Sequence, residues 1–353
     1  MKLGDVCQIK YGKDHKALPD GTIPVYGSGG IMRYCDRYIH NKQSVLIPRK
    51  GTLSNIFYVN QPFWTVDTLF WTDINEEIVL PKYLYYLLLT KNLSSLNVGT
   101  AVPSLTVDIL NDIQITLPSL SIQGNIVKIL SSFDDKIQLN KQLNDYLTDL
   151  SSAIYNEFIN RSSGKWGALS DIVDLIKEPI SSRTRPELPY LPIDVIPMKR
   201  IGIEGFRPYE EAKSSLQLFK KDDIVIGAMR VYFHRVILTP CKGMTRNTCF
   251  VLRPRNKNLR EFALLSCFQN ETIEFANLHS KGSTMPYAVW KGSFENCPVF
   301  IPNEHDLEVF SIRMSPLIDK IRDIYKENSA LINLRNGLLS QLLSGKIDLS
   351  KFN

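Results

Sequence analysis

Apolar residues recur at alternating steps of three and four along two long stretches of this chain, and each pattern predicts one amphipathic helix packed against a long partner. In the stretch from Asp306 to Leu343 the seam is Leu307, Phe310, Met314, Leu317, Ile321, Ile324, Asn328, Leu331, Arg335, Leu338 and Leu342. Laying Asp135-Lys136-Ile137 on Asp319-Lys320-Ile321, 184 residues further on, brings the stretch from Ser121 to Phe158 into register with it. Its seam is Leu130, Phe133, Ile137, Asn140, Asn144, Leu147, Ser151, Ile154 and Phe158. Asn144 falls on Asn328. An Asn in a seam costs stability but fixes register, because its amide is satisfied only by a polar partner. The two are expected to meet across an antiparallel seam. The residues expected to pack helix on helix are Phe133, Ile137, Asn144, Leu147, Ile154, Leu317, Ile321, Asn328, Leu331 and Leu338.

Ahead of each helix the pattern is short and β-like. Ser44 to Pro48, Ile56 to Val59 and Asp67 to Trp71 read as strands between Gly, Pro and Asn turns, and Pro81 opens a short helix reaching Leu89. A further strand is expected at Ile113 to Leu117. The order restarts after Asn160-Arg161-Ser162-Ser163-Gly164, read as a linker. Leu169 to Val173 echoes Leu3 to Cys7, Asp223 to Ile226 echoes the strand at Val45, Asn247 to Val251 echoes the strand at Thr68, and Gly282 to Pro286 echoes Gly99 to Pro103. The expected fold class is therefore α+β: two globular mixed α/β domains in tandem repeat, separated by two long antiparallel coiled-coil helices with pseudo-two-fold symmetry. The divisions fall at 1–120 for the first domain, 121–163 for the first helix and linker, 164–305 for the second domain and 306–353 for the second helix. About 38 helical residues span roughly 57 Å, more than one turn of duplex DNA at about 34 Å. The shape expected is a ruler with a reader at each end.

Composition is that of an ordinary globular protein, with 44% hydrophobic and 22% charged residues. No apolar run reaches membrane-spanning length and the N-terminus is not a signal peptide, so a cytoplasmic protein without membrane association is expected. The six cysteines are scattered and expected to be reduced, and the five histidines form no ligand cluster, so no metal site is expected. The net charge of +6 divides as +1 for 1–120, −1 for 121–163, +5 for 165–305 and +1 for 306–353. The excess in the second domain hints at a polyanionic partner.

Motifs for chemistry are missing. There is no phosphate-binding loop, no dinucleotide fingerprint and no Asn/Asp-Pro-Pro-Tyr/Phe signature of an adenine methyltransferase. The carboxylate pairs Asp134-Asp135 and Asp222-Asp223 read as solvated surface, and Gly27-Ser28-Gly29-Gly30 as a flexible loop. The turns do carry cations, an aromatic and small hydroxyl residues, the composition of a DNA-contacting surface. In the first domain these candidates are Lys10, Tyr11, Lys13, Ser28, Arg33, Arg49, Lys50, Thr52 and Thr100. In the second they are Lys177, Arg183, Arg185, Arg230, Arg246, Asn247, Lys281, Ser283 and Thr284.

The run Ile23-Pro24-Val25-Tyr26-Gly27-Ser28-Gly29-Gly30-Ile31, then Val45-Leu46-Ile47-Pro48-Arg49-Lys50-Gly51-Thr52, then Phe63-Trp64-Thr65-Val66-Asp67-Thr68, resembles the target recognition domain of type I restriction-modification specificity subunits. Leu117-Pro118 through Phe133-Asp134-Asp135-Lys136-Ile137, and Leu342-Leu343-Ser344-Gly345-Lys346-Ile347, resemble that family's helical regions. The likeness spans nearly the whole chain, although Arg183 to Pro197 departs from the Tyr-Gly-x-x-Gly loop. The resemblance implies a non-catalytic subunit that binds double-stranded DNA, with each domain reading one half of an asymmetric split site and the helices setting the gap. It further implies two methyltransferase subunits docked on the helices, an assembly that restriction/translocase subunits can join. No cofactor is expected on this chain; S-adenosylmethionine would sit on the partner methyltransferase. The competing readings are a specificity component of another modification system, a nuclease or methyltransferase whose site escapes motif reading, and a coiled-coil scaffold for protein partners. Salt-sensitive duplex binding separates the DNA readers from the scaffold.

Overall fold

The computed structural model describes residues 1–99, 102–181, 183, 186–213, 215–347 and 349. Two units emerge, Met1–Asp134 with Asn333–Asn353, and Asp135–Ile332.

In the first unit the strands are β1 (Cys7–Tyr11), β2 (Ile23–Gly27), β3 (Gly30–Cys35), β4 (Ser44–Pro48), β5 (Phe57–Val59), β6 (Trp64–Thr65) and β7 (Leu69–Ile74). They form an antiparallel sheet ordered β1-β7-β4-β5 and a smaller sheet ordered β3-β2-β6. β4 is buried at all five positions, as its Ser-Val-Leu-Ile-Pro sequence suits an interior strand. Helix α1 (Pro81–Leu89) starts with Pro81, whose missing N–H is harmless in the first turn, and buries Tyr83, Leu84, Tyr86, Leu87 and Leu88. A short α2 (Val107–Asn111), capped by the Thr106 hydroxyl, precedes the long α3 (Leu120–Arg161).

The second unit repeats this plan. Its strands are β8 (Gly164–Ala168), β9 (Val173–Leu175), β10 (Pro179–Ile180), β11 (Tyr190–Leu191), β12 (Leu216–Phe219), β13 (Ile224–Gly227), β14 (Val236–Leu238), β15 (Gly243–Arg246), β16 (Cys249–Pro254) and β17 (Pro298–Pro302). The sheet β9-β16-β13-β14 has the order of β1-β7-β4-β5, and β11 runs parallel to β15 as β2 does to β6. Helices α4 (Arg260–Cys267) and α5 (Asn270–Leu278) lead to β17 and then to α6 (Glu304–Leu343).

Several sequence expectations change. Gly27 to Gly30 is a tight turn closing the β2–β3 hairpin, with Gly30 at φ +112°, rather than a flexible loop. Ile113 to Leu117 is no strand; only the Lys2–Gln114 bridge forms, whereas its counterpart β17 pairs fully with β8. Helix α3 and β8 together absorb most of the expected linker, because α3 runs to Arg161 and β8 begins at Gly164. Of the carboxylate pairs only Asp135 is solvated surface, exposed on α3; the other three have partners. Asp223 is 1% exposed and takes two 2.7 Å bonds from Arg253, and Asp222 binds Arg322 at 3.0 Å. Asp134 accepts from both Tyr86 and Arg335.

Within the second unit α3 and α6 run antiparallel. Asn140 Nδ2 donates to Asn328 Oδ1 at 2.8 Å, and 18 residues on in α3 the Phe158 ring lies 4.4 Å from that of Phe310. Asn328 thus pairs with Asn140 and not with Asn144. In an antiparallel pair of repeated helices, equivalent positions face each other only at the centre, which here falls between Asn140 and Asn144. This register sets Asn144 level with buried Ile324, and Asn144 Oδ1 has no partner among the described residues. The buried stripe of α6 is Leu307, Phe310, Met314, Ile318, Ile321, Ile324 and Asn328, with Leu317 only half-buried. The helix packs on the domain core as well as on α3, so its apolar face is wider than a heptad seam. Phe133, Ile137, Leu147, Ile154, Leu331 and Leu338 are all half-buried.

Candidate nucleic-acid interface

In the first domain the pairing of β4 with β7 ends at Pro48 and Leu69, and the candidate loops gather at that end of the sheet. Arg49 N–H donates to Thr68 O at 2.9 Å, Gly51 N–H to Pro103 O at 3.0 Å, and Lys13 N–H to Thr65 O at 2.8 Å. Asn55 Nδ2 donates to Ser28 O at 3.1 Å, which draws the hairpin turn to the same place. Tyr11, half-exposed at the end of β1, packs edge-on against Phe70 at 5.1 Å, and the Arg49 guanidinium lies 5.4 Å above it. Lys13, Lys50 and Thr52 are exposed, and the two lysines make no ion pair among the described residues. Ser28 lines a cleft of about 760 Å³ with Lys16, Asp67 and Thr68.

Three first-domain candidates have structural partners, and for Arg49 it is the main chain, its Nη1 donating to Asp67 O at 3.1 Å. Lys10 pairs with Asp73 at 2.8 Å beside the Trp71 ring, and that bond holds the Asp73 carboxyl below its usual range. Arg33 donates to Leu18 O, His15 O and Asp20, pinning the segment before β2. Thr100 lies outside the described residues.

The second domain makes the same end from different side chains. β13 and β16 finish their pairing at Gly227 and Cys249, Ala228 N–H donates to Thr248 O at 2.9 Å, and Arg230 N–H donates to Pro286 O at 2.7 Å. The equivalence of these bonds with those of Arg49 and Gly51 sets Arg230 at the position of Gly51. Both backbones are left-handed, φ +50° for Arg230 and +94° for Gly51, and Arg230 Nε is buried without a partner among the described residues. Such strain in a non-glycine residue collects at functional sites. Arg246 donates from Nε to the Tyr190 hydroxyl at 2.7 Å and still presents an exposed guanidinium, and Asn247 is exposed beside it. Lys281 is held by reciprocal 2.9 Å backbone bonds with Tyr287, and Ser283 and Thr284 are exposed in the turn between them. Arg183 is exposed on a turn, and Arg185 lies outside the described residues.

Lys177, just past β9, borders a cavity of about 700 Å³ lined also by Gln217, Asn247, Phe250, Trp290 and Lys291. Sequence reasoning missed Gln217, Trp290 and Lys291; the one available signal was an aromatic beside a lysine in a glycine-bearing turn. Burial pushes the Cys249 thiol in this wall up to about 11, so it is no nucleophile at neutral pH. Among the described residues no three His, Cys, Asp or Glu side chains converge as metal ligands, and no helix is long and apolar enough to cross a membrane.

Residues 1–149 match the family described as the type I restriction modification DNA specificity domain. The chain is 23% identical over 349 residues to the type I restriction enzyme MjaIX specificity subunit of Methanocaldococcus jannaschii, covering 90% of this chain and 80% of the relative. A putative type I restriction enzyme specificity subunit of Haemophilus influenzae is 35% identical over 118 residues, 32% of this chain and 30% of the relative. The fold is similar to the crystal structure of a type I restriction-modification S subunit from M. genitalium, with a TM-score of 0.58 at 17% identity over 97% of this chain and 95% of that one.

Proposed function

We propose, on the premise that this chain belongs to the type I restriction-modification specificity-subunit family, that each of its recognition domains reads one half of a split, asymmetric DNA sequence. The subunit does no chemistry itself. Its helices set the unread gap and dock two methyltransferase subunits, which bring S-adenosylmethionine and flip the target adenine out of the duplex; a translocating nuclease subunit can join that assembly. The observation that carries this reading is the repetition: two domains of one plan gather cationic and hydrogen-bonding side chains at the same end of matching sheets. Unlike side chains at equivalent positions, such as Arg230 and Gly51, mean unlike half-sites. Mapping methylated adenines across the host genome with and without the gene tests it. Loss of methylation at one motif of two short halves around a fixed gap is expected. An unchanged methylome, with this chain and a methyltransferase partner both expressed, would refute the reading.

A further inference from the structure

The cavity beside Lys177 has the chemistry of a site for one planar heterocycle. Its wall is formed by Phe250 and Trp290, whose rings meet at 5.9 Å and 63°, together with Leu175 and Val289. Gln217 is 7% exposed, and its Nε2 is fixed by the carbonyls of Cys249 at 2.6 Å and Arg246 at 3.4 Å. Its Oε1, and the whole side-chain amide of Asn247, make no hydrogen bond among the described residues. Amides of this kind match the donor and acceptor edges of bases. Lys177 and Lys291 stand at the border, where a phosphate would lie. Glu295 is held by the Gly292 N–H at 2.6 Å, and the Cys249 thiol stays protonated, so the site binds and does not react.

The first domain shows what belongs in this position. Tyr11 pairs with Phe70 across β1 and β7, and Lys177 stands in the same relation to Phe250, since Ile176 N–H donates to Val251 O at 2.8 Å. In the first domain the protein's own tyrosine ring covers the phenylalanine, with Arg49 over it. In the second domain a lysine replaces that ring, and Phe250 faces the cavity beside Trp290.

We propose that this cavity takes a single unstacked nucleobase on its sugar-phosphate, drawn from the DNA bound by the second domain and distinct from the adenine that is methylated. The inference rests on the reading of that domain as a DNA reader. Mispairing a base lowers the cost of extruding it, so affinity rises at an extruded position and falls at positions read in the stack.

The test uses the complex of this chain with its methyltransferase partners and a duplex carrying the mapped motif. Each base of the second half-site is left unchanged while its opposite base is altered to a mismatch, and affinity is measured by competition. A rise of roughly tenfold at one position besides the methylated adenine, lost in Trp290→Ala and largely kept in Trp290→Phe, is expected. Lys177→Tyr, which copies the first domain, should also remove it, and this variant guards against an unfolded Trp290→Ala. A rise confined to the methylated adenine and indifferent to these variants overturns the inference while leaving DNA reading intact. Failure of every duplex to bind specifically overturns the proposed function itself. Titration with free deoxynucleoside monophosphates separates the two sources: Trp290-dependent binding of these alone, without the mismatch effect, overturns DNA as the source.

Discussion

Arg230→Gly should make the second domain more stable and a poorer DNA binder, opposite signs that a merely structural arginine would not give. The position is left-handed, and its counterpart in the first domain is already Gly51. A left-handed backbone costs an L-residue roughly 1–2 kcal/mol. The greater entropy of glycine in the unfolded chain takes back about 0.5–1 kcal/mol. Removal of a buried Nε that lacks a partner among the described residues adds to the gain, so a net stabilisation of about 1 kcal/mol is expected. For a unit of this size that raises the melting temperature by roughly 2–4 °C. Loss of one phosphate contact lowers the slope of log affinity against log salt by about 0.9 and weakens binding roughly 5- to 100-fold. Thermal melts of the chain, with anisotropy titrations of the methyltransferase complex at several salt concentrations, measure both effects. A lower melting temperature, or an unchanged affinity and salt slope, would refute the reasoning.

The Arg49→Ala and Lys50→Ala double variant should reduce the salt slope through the first domain, and methylation of the same motif at an unchanged rate and salt dependence would sink that assignment. Asn328→Leu leaves Asn140 Nδ2 without its partner and should cost about 1–3 kcal/mol in denaturant melts. Adding Asn140→Leu should restore most of that loss, and strictly additive effects would count against a paired seam. His234, inside the second domain, has its pKa lowered chiefly by burial, with the Lys199 charge adding to the fall and the bond to Phe268 O opposing it. Its folded pKa therefore lies below the unfolded value of about 6.5, so its stability is present above that pH and lost as pH falls. His234→Gln should flatten the fall in stability between pH 7 and pH 5; equal slopes for both proteins would exclude the histidine as its source.

The helices and the repeat were legible because both are written in spacing. The seam continues through Pro316, where propensity alone would end the helix, since packing outweighs one missing hydrogen bond. What spacing does not carry is the partner of a polar group. Asp223 reads like any surface carboxylate until β13 and β16 bring Arg253 to it, and Lys10 and Arg33 read like free cations until Asp73 and Asp20 arrive from elsewhere in the fold. Asn144 aligns with Asn328 yet does not face it, because aligned positions of an antiparallel pair face each other only at the centre. The cavity under Trp290 was hidden for the same reason, its walls coming from four separate segments.

The candidate loops at the end of each sheet are held by the main chain. Arg49 N–H to Thr68 O and Ala228 N–H to Thr248 O are one bond in two sequences, and so are Gly51 N–H to Pro103 O and Arg230 N–H to Pro286 O. Backbone bonds place no demand on the side chains that project beyond them, apart from the left-handed position shared by Gly51 and Arg230. Arg49 can thus become Ala228 and Tyr11 become Lys177 without loosening the sheets beneath. The core lacks that freedom: β4 and β13, buried at every position, keep an apolar run in both domains. A fold anchored in this way can change the side chains it presents at the loop tips while its sheets and helices stay fixed. This accounts for two domains of one plan that share strand order while Gly51 gives way to Arg230 and Tyr11 to Lys177.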